Sequence, residues 1–173
     1  MYKSFLHLFR LALLACALWL TACTPRYDWR VVRGDSAPFT VLMPAKPSVQ
    51  ARPVTLNGVA AMMTMTTAEV DDLTFAVGVI ELPDTMAAPA ALTAIRTALV
   101  NNIGGVLRSE KTLANGAIEI EAAGKPEGAG SQSRLLLARL VAKDQRIYQI
   151  VAVGQESTID RDAAGMFLDS FKF

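Results

Sequence analysis

Histidine and cysteine are nearly missing from this 173-residue chain, and their positions decide what the scarcity excludes. The only histidine is His7, and the only cysteines are Cys16 and Cys23. Everything after Cys23 lacks both residue types. A Ser-His-Asp triad, a Cys-His pair and a histidine-ligated zinc site are thereby excluded from that part. No disulfide can staple it within one chain, so it must be held by its core. An excess of one charge is lacking as well. Of 17 basic residues, Lys3 and Arg10 fall in the N-terminal run, which leaves 15 against 16 acidic ones. That balance gives no electrostatic footprint for nucleic acid. A phosphate loop is lacking too. The glycine-rich stretch 124–130 (GKPEGAG) has no Lys-Ser or Lys-Thr, no helical pattern follows it, and it reads as a connection between strands.

What is present begins with an address. Lys3 and Arg10 form a positive n-region, and residues 11–20 (LALLACALWL) form an apolar core of secretory length, short for a membrane span. Leu20-Thr21-Ala22-Cys23 resembles the lipobox of bacterial lipoproteins. The resemblance implies cleavage before Cys23, a diacylglycerol on its thiol and a palmitate-type acyl chain on its new amino group. One chain anchors marginally; two or more anchor stably. The alternative is an ordinary secretory peptide cut near Ala22, with Cys23 incidental. Thr24 stands where an aspartate would resemble an inner-membrane retention signal, so the expected location is the outer membrane, facing the periplasm. The chain then divides into a signal peptide (1–22), a lipid-anchored tether (23–36) and one domain (37–173). Removing 22 of 173 residues leaves 151, enough to bury about two-thirds of the surface.

Within 24–36, Arg26, Tyr27, Trp29, Arg30 and Arg33 mix basic and aromatic side chains. They suit either contact with anionic headgroups or a first strand over Trp29–Val32. Arg33-Gly34-Asp35 spells an adhesion tripeptide, a match of three residues that chance supplies often. Phe39–Met43 alternates in the β sense up to Pro44. Pro44, Pro47 and Pro53 predict an extended, turn-rich segment. Val59–Val70 and Leu73–Leu82 predict two strands around an Asp71-Asp72 turn. A helix starts near Pro89, carries Leu92, Ile95, Leu99 and Ile103 as a stripe, and ends at Gly104-Gly105. Val106–Leu113 and Ala117–Ala122 pair around Asn115-Gly116. Gln132–Ala142 and Ile147–Val153 read as strands covered on both faces. A capping box, Ser157 with Asp160, opens a last helix whose apolar face holds Ile159, Ala163, Met166 and Phe167. Helices of modest length among hairpins predict an α+β fold with a mainly antiparallel sheet.

Four groups of residues invite a chemical reading. Glu119 and Glu121 share a strand face, as a general acid/base pair or as a solvated surface. Asp71-Asp72 and Asp160-x-Asp162 are the close acidic pairs, with turn chemistry and helix N-terminal charge as their plain explanations. Met62, Met63, Met65 and Met86 suggest a soft-metal site or core filler. None of these patterns singles out a catalytic, cofactor or metal residue. Cys23, as the lipid attachment point, is the one assigned site.

Three stretches carry a family resemblance. Phe39-Thr40-Val41-Leu42-Met43-Pro44-Ala45-Lys46-Pro47 resembles the F-x-V-x-x-P-x-x-P opening of PsbP-like domains. Residues 146–154 (RIYQIVAVG) resemble their penultimate strand, and 167–173 (FLDSFKF) their closing F-x-x-S-F. The resemblance covers about residues 37–173 and rests on packing residues. It implies an α/β/α sandwich around an antiparallel sheet, and accessory, non-enzymatic work on a larger assembly. Tyr148 is expected to place its hydroxyl at a sheet edge, and Phe167 and Phe171 to bind helix to sheet. The expected function is therefore a non-enzymatic interaction module, tethered to the membrane by lipid and docking on an envelope protein. A small-ligand or cation-binding lipoprotein is the alternative, and a carboxylate-dependent hydrolase the third reading.

Overall fold

The computed structural model describes residues 25–84, 86–126 and 132–173. The N-terminal run, the lipobox-like residues with Cys23, and part of the 124–130 loop lie outside the described residues.

Alternating apolar residues and tight turns build most of the molecule. The elements are β1 (Arg30–Arg33), β2 (Thr40–Met43), β3 (Ser48–Leu56), β4 (Val59–Val70), β5 (Leu73–Glu81), α1 (Ala88–Asn102), β6 (Gly105–Thr112), β7 (Ile118–Gly124), β8 (Arg134–Lys143), β9 (Arg146–Gln155) and α2 (Arg161–Ser170). β3 to β9 form one antiparallel sheet in the order β3-β4-β5-β9-β8-β7-β6, and β1 with β2 forms a separate two-stranded ribbon. Two-residue turns set three of the registers. Leu56 faces Val59 across Asn57-Gly58, and Lys143 faces Arg146 across Asp144-Gln145. All four turn residues have positive φ, the signature of turns that match strand twist. At the third turn, Asp71-Asp72, only Asp71 does.

This architecture corrects the α+β sandwich expectation. Strand makes up 52% of the described residues and helix 17%, in only two helices. The fold is β-rich. The segment expected to be extended and turn-rich is in fact strand β3, with Pro53 opposite Met62. Proline is tolerated there because β3 is an edge strand whose outward N–H groups need no ladder partner. One face of the sheet is covered jointly by α2 and the β1–β2 ribbon rather than by a helical layer.

The sheet's two faces carry two cores. Along β5, Phe75, Val77 and Val79 point to one face, and Ala76, Gly78 and Ile80 to the other. The first face is closed by the ribbon and α2, with Phe39, Val41, Met43 and Phe167 essentially buried. Tyr27 and Trp29 pack onto that core, and β1 pairs with β2, so this segment follows the strand reading. The second face is partly covered by α1 through Ala91, Ile95 and Leu99, with Ile103 at its C-terminal end. Within α2 the cap is Asp160, whose carboxylate accepts from the Ala163 N–H; the expected box starting at Ser157 is not the one used. Met166, placed on the apolar face from the sequence, is exposed, while Phe167 is fully buried.

Candidate functional site

The second face does not close. Between α1 and strands β4, β5 and β9 lies a cleft of about 570 Å³, within the usual size range of ligand sites. Its roof is α1, which turns Ile95, Leu99 and Ile103 toward the sheet at helical spacing. Its floor is the even-numbered row of β5 and the odd-numbered rows of β4 and β9, among them Met63, Met65, Ala76 and Val151. The space exists because the floor is low. Ala76 and Gly78 contribute little volume, and no aromatic residue belongs to this core.

One polar side chain crosses that floor. Gln149 is only 7% exposed. Its amide nitrogen donates to the thioether sulfurs of Met63 (3.4 Å) and Met65 (3.5 Å), which are weak acceptors. Its carbonyl oxygen accepts no hydrogen bond among the described residues. Gly78 makes this posture possible, since a Cβ there would lie 2.6 Å from the Gln149 amide nitrogen. Polar groups stand around the rim: Arg52 from β3, Arg134 from β8, Asn102 from the end of α1, and Thr67 and Thr74. Neither arginine is ion-paired among the described residues, although seven other arginines are.

The residues that the sequence singled out sit elsewhere. Glu119 and Glu121 share a face of β7, beside a polar crevice of about 380 Å³, but each meets an arginine. Arg139 donates to Glu119 (2.9 Å from Nε), to Asp169 (2.7 Å) and to the Leu168 carbonyl (2.7 Å). Arg161 grips Glu121 with two hydrogen bonds of 2.8 and 3.0 Å. The Arg161 hydrogen bonds hold the Glu121 carboxyl below the usual carboxylate range. A carboxylate so paired is a poor proton donor near neutral pH.

The two acidic pairs are brought to one place. Asp71 accepts from Arg26 Nε at 3.0 Å, and Asp160 lies 3.7 Å from the same guanidinium. Asp160 also caps α2 and accepts from the Tyr27 hydroxyl at 3.0 Å. The backbone N–H of Ala163 is the main cause of its lowered pKa. Arg26 thus stands between the acids that a cation would need. The four methionines do not converge: Met63 and Met65 face the cleft, whereas neighbouring Met62 points to the opposite side of β4 and is exposed. Among the described residues no group of three or more acidic, histidine or cysteine side chains is arranged to hold a metal ion.

The motif residues of the family resemblance are packing residues in the structure. Tyr148 lies on β9, the central strand rather than an edge, and its ring meets Phe39, Phe171 and Phe173. The cleft itself was not read from the sequence. Its one linear signal is Gln149, the lone polar residue in the apolar run 147–153 (IYQIVAV). No described helix is long and apolar enough to cross a membrane. A comparison with protein-family models finds no match to this chain, and neither does a comparison with curated proteins.

Proposed function

We propose that this chain is a lipid-anchored accessory protein of the bacterial envelope that works by binding rather than by catalysis. Cys23 carries the lipid, the outer membrane holds it, and the domain faces the periplasm. The lipobox-like sequence supports this address, and the resemblance of the motif residues to PsbP-like domains supports the accessory role. The observation that carries the binding reading is the open apolar cleft under α1, with the Gln149 amide on its floor. It favours a small ligand over docking on an envelope protein, because the exposed large apolar residues (Val31, Val49, Met62, Val106 with Leu107, Met166 and Phe173) are spread over five elements and the C-terminus. The arginine pairing of Glu119 and Glu121 speaks against a hydrolase built on those two carboxylates.

Complementation of a deletion strain tests this reading. A Glu119→Gln/Glu121→Gln double variant is expected to restore the wild-type envelope phenotype. Thr67→Trp, which fills the cleft mouth, and Cys23→Ser, which removes the anchor, are expected to fail. Mass spectrometry of the purified protein checks the anchor itself, with an acylated Cys23 as the mature N-terminus. A wild-type Cys23 without lipid removes the address. A defect confined to the carboxylate variant, with folding intact, removes the binding reading.

A further inference from the structure

We infer that the cleft takes a single-chain anionic lipid from the bilayer surface, with its hydrocarbon under α1 and its head on Arg134. The inference deepens the binding reading above and rests on it, including lipid at Cys23. Three observations lead to it.

The first is the lining. An acyl chain needs an apolar slot, and the cleft offers aliphatic and thioether side chains along about 570 Å³. The Gln149 carbonyl oxygen on the floor, reachable from the cleft, adds one polar contact, suited to a hydroxyl part-way along a ligand.

The second is charge. No acidic side chain lines the cleft among the described residues, while Arg52 and Arg134 both do. They rise from strands on opposite sides of the floor, with β4, β5 and β9 between them. Arg134 is half-buried and stands with the Asn102 amide at the cleft; Arg52 lies on the exposed edge strand. An anionic head gains more from the half-buried guanidinium, where water screens less.

The third is placement. Arg134 pairs in register with Gln155, and Val153 with Thr74, so Arg134 stands at the end of the sheet that holds the Asp71-Asp72 turn. Arg26 is bound to Asp71 at that same end. Cys23 stands three positions before Arg26, a reach of at most about 11 Å. An anchor at Cys23 therefore holds the Arg134 end of the cleft against the membrane, where single-chain lipids reside.

Photocrosslinking tests the assignment on the full chain reconstituted in phosphatidylethanolamine nanodiscs. Three diazirine probes of equal chain length are compared: hexadecanoate, hexadecanol and an acyl lysophosphatidylglycerol. Labelled peptides are mapped by mass spectrometry. Both anionic probes are expected to label residues 59–81, 88–102 and 146–155, and the alcohol about tenfold less. Stronger labelling by one anionic probe identifies the source as free carboxylate or phospholipid product. Arg134→Ala is expected to lower anionic labelling to the level of the alcohol, Arg134→Lys to restore most of it, and Arg52→Ala to change it less than about twofold. Circular dichroism verifies that each variant is folded. Equal labelling by alcohol and acid overturns the anionic head while leaving the cleft a binding site. Loss of labelling in Arg52→Ala but not Arg134→Ala overturns the placement of the head. Labelling scattered outside the cleft by all three probes overturns the ligand and the binding reading together.

Discussion

The two faces of the seven-stranded sheet are built from different residues. All eight aromatic residues beyond position 24 (Tyr27, Trp29, Phe39, Phe75, Tyr148, Phe167, Phe171 and Phe173) belong to the face under the ribbon and α2. Their rings form two groups, Tyr27, Trp29, Phe75 and Phe167 in one and Phe39, Tyr148, Phe171 and Phe173 in the other, in edge, tilted and stacked contacts with centroids 5.0 to 6.5 Å apart. The face under α1 has none. It is packed with aliphatic side chains, alanine and methionine, and it leaves a cleft. Large planar rings fill volume with few conformers and make directed contacts. Flexible and small side chains leave volume over. One face therefore supplies stability and the other supplies space, and a sheet with two independent faces can do both at once.

The largest expected effect falls on the filled face. Phe167→Ala removes a fully buried ring in a T-shaped contact with Phe75 at 5.3 Å. Denaturant melts should show a loss of about 3–5 kcal/mol. A loss below about 1 kcal/mol breaks the contrast between the faces.

Leu99→Ala is the matched test on the open face. Leu99 is buried on α1 but borders an open cleft. Truncation widens an existing space and creates no sealed cavity, so the transfer term dominates. The expected loss is about 2 kcal/mol, the low end for such a change. A loss equal to that of Phe167→Ala would mean that the two faces carry equal weight.

A smaller effect is read against pH. Burial, and then the hydrogen bond to Asp160, push the Tyr27 phenol up from 10.0 to about 12. The folded state therefore favours the neutral phenol. Its contribution is whole below pH 10 and is lost as pH rises from 10 through about 12. Urea melts should show stability falling more steeply over that window in the wild type than in Tyr27→Phe. Parallel slopes would place the ring in water, outside the aromatic face.

The smallest expected effect sharpens the comparison from the other side. Thr67→Trp adds a large ring at the half-buried cleft mouth, where there is room for it. Stability should stay within about 0.5 kcal/mol of the wild type, as for surface changes. Lipid-probe labelling should nevertheless fall to background.

Elements whose signal is local were legible in the sequence. Period-two alternation gave β4 with its ends at Val59 and Val70, and the stripe Ile95, Leu99, Ile103 gave α1 and its buried side. β3 was not legible, because Pro47 and Pro53 read as breakers until the strand is known to lie at an edge. Asn57-Gly58, a strong hairpin signal, was the clue that went unread. The α+β expectation failed for another reason: its helix layers came from the family resemblance, whereas the chain has only the two helices its periodicity shows and covers one face jointly with the β1–β2 ribbon.

Of the candidate site, the sequence by itself determined the exclusions. Without histidine or cysteine beyond Cys23, no fold could assemble a triad or a histidine-ligated zinc site, since composition limits chemistry whatever the geometry. Only the tertiary structure decided that Glu119 and Glu121 each face an arginine, that Arg26 stands between Asp71 and Asp160, and that Arg52, Arg134 and Gln149 surround one cleft. Arg26 and Asp71, Glu121 and Arg161, Met63 and Gln149, and Arg52 and Gln149 lie 40 to 97 residues apart in the chain. Periodicity reports which side of its own element a residue takes. Strand order and register report what it meets there, and both are set by long-range pairing that no local window contains.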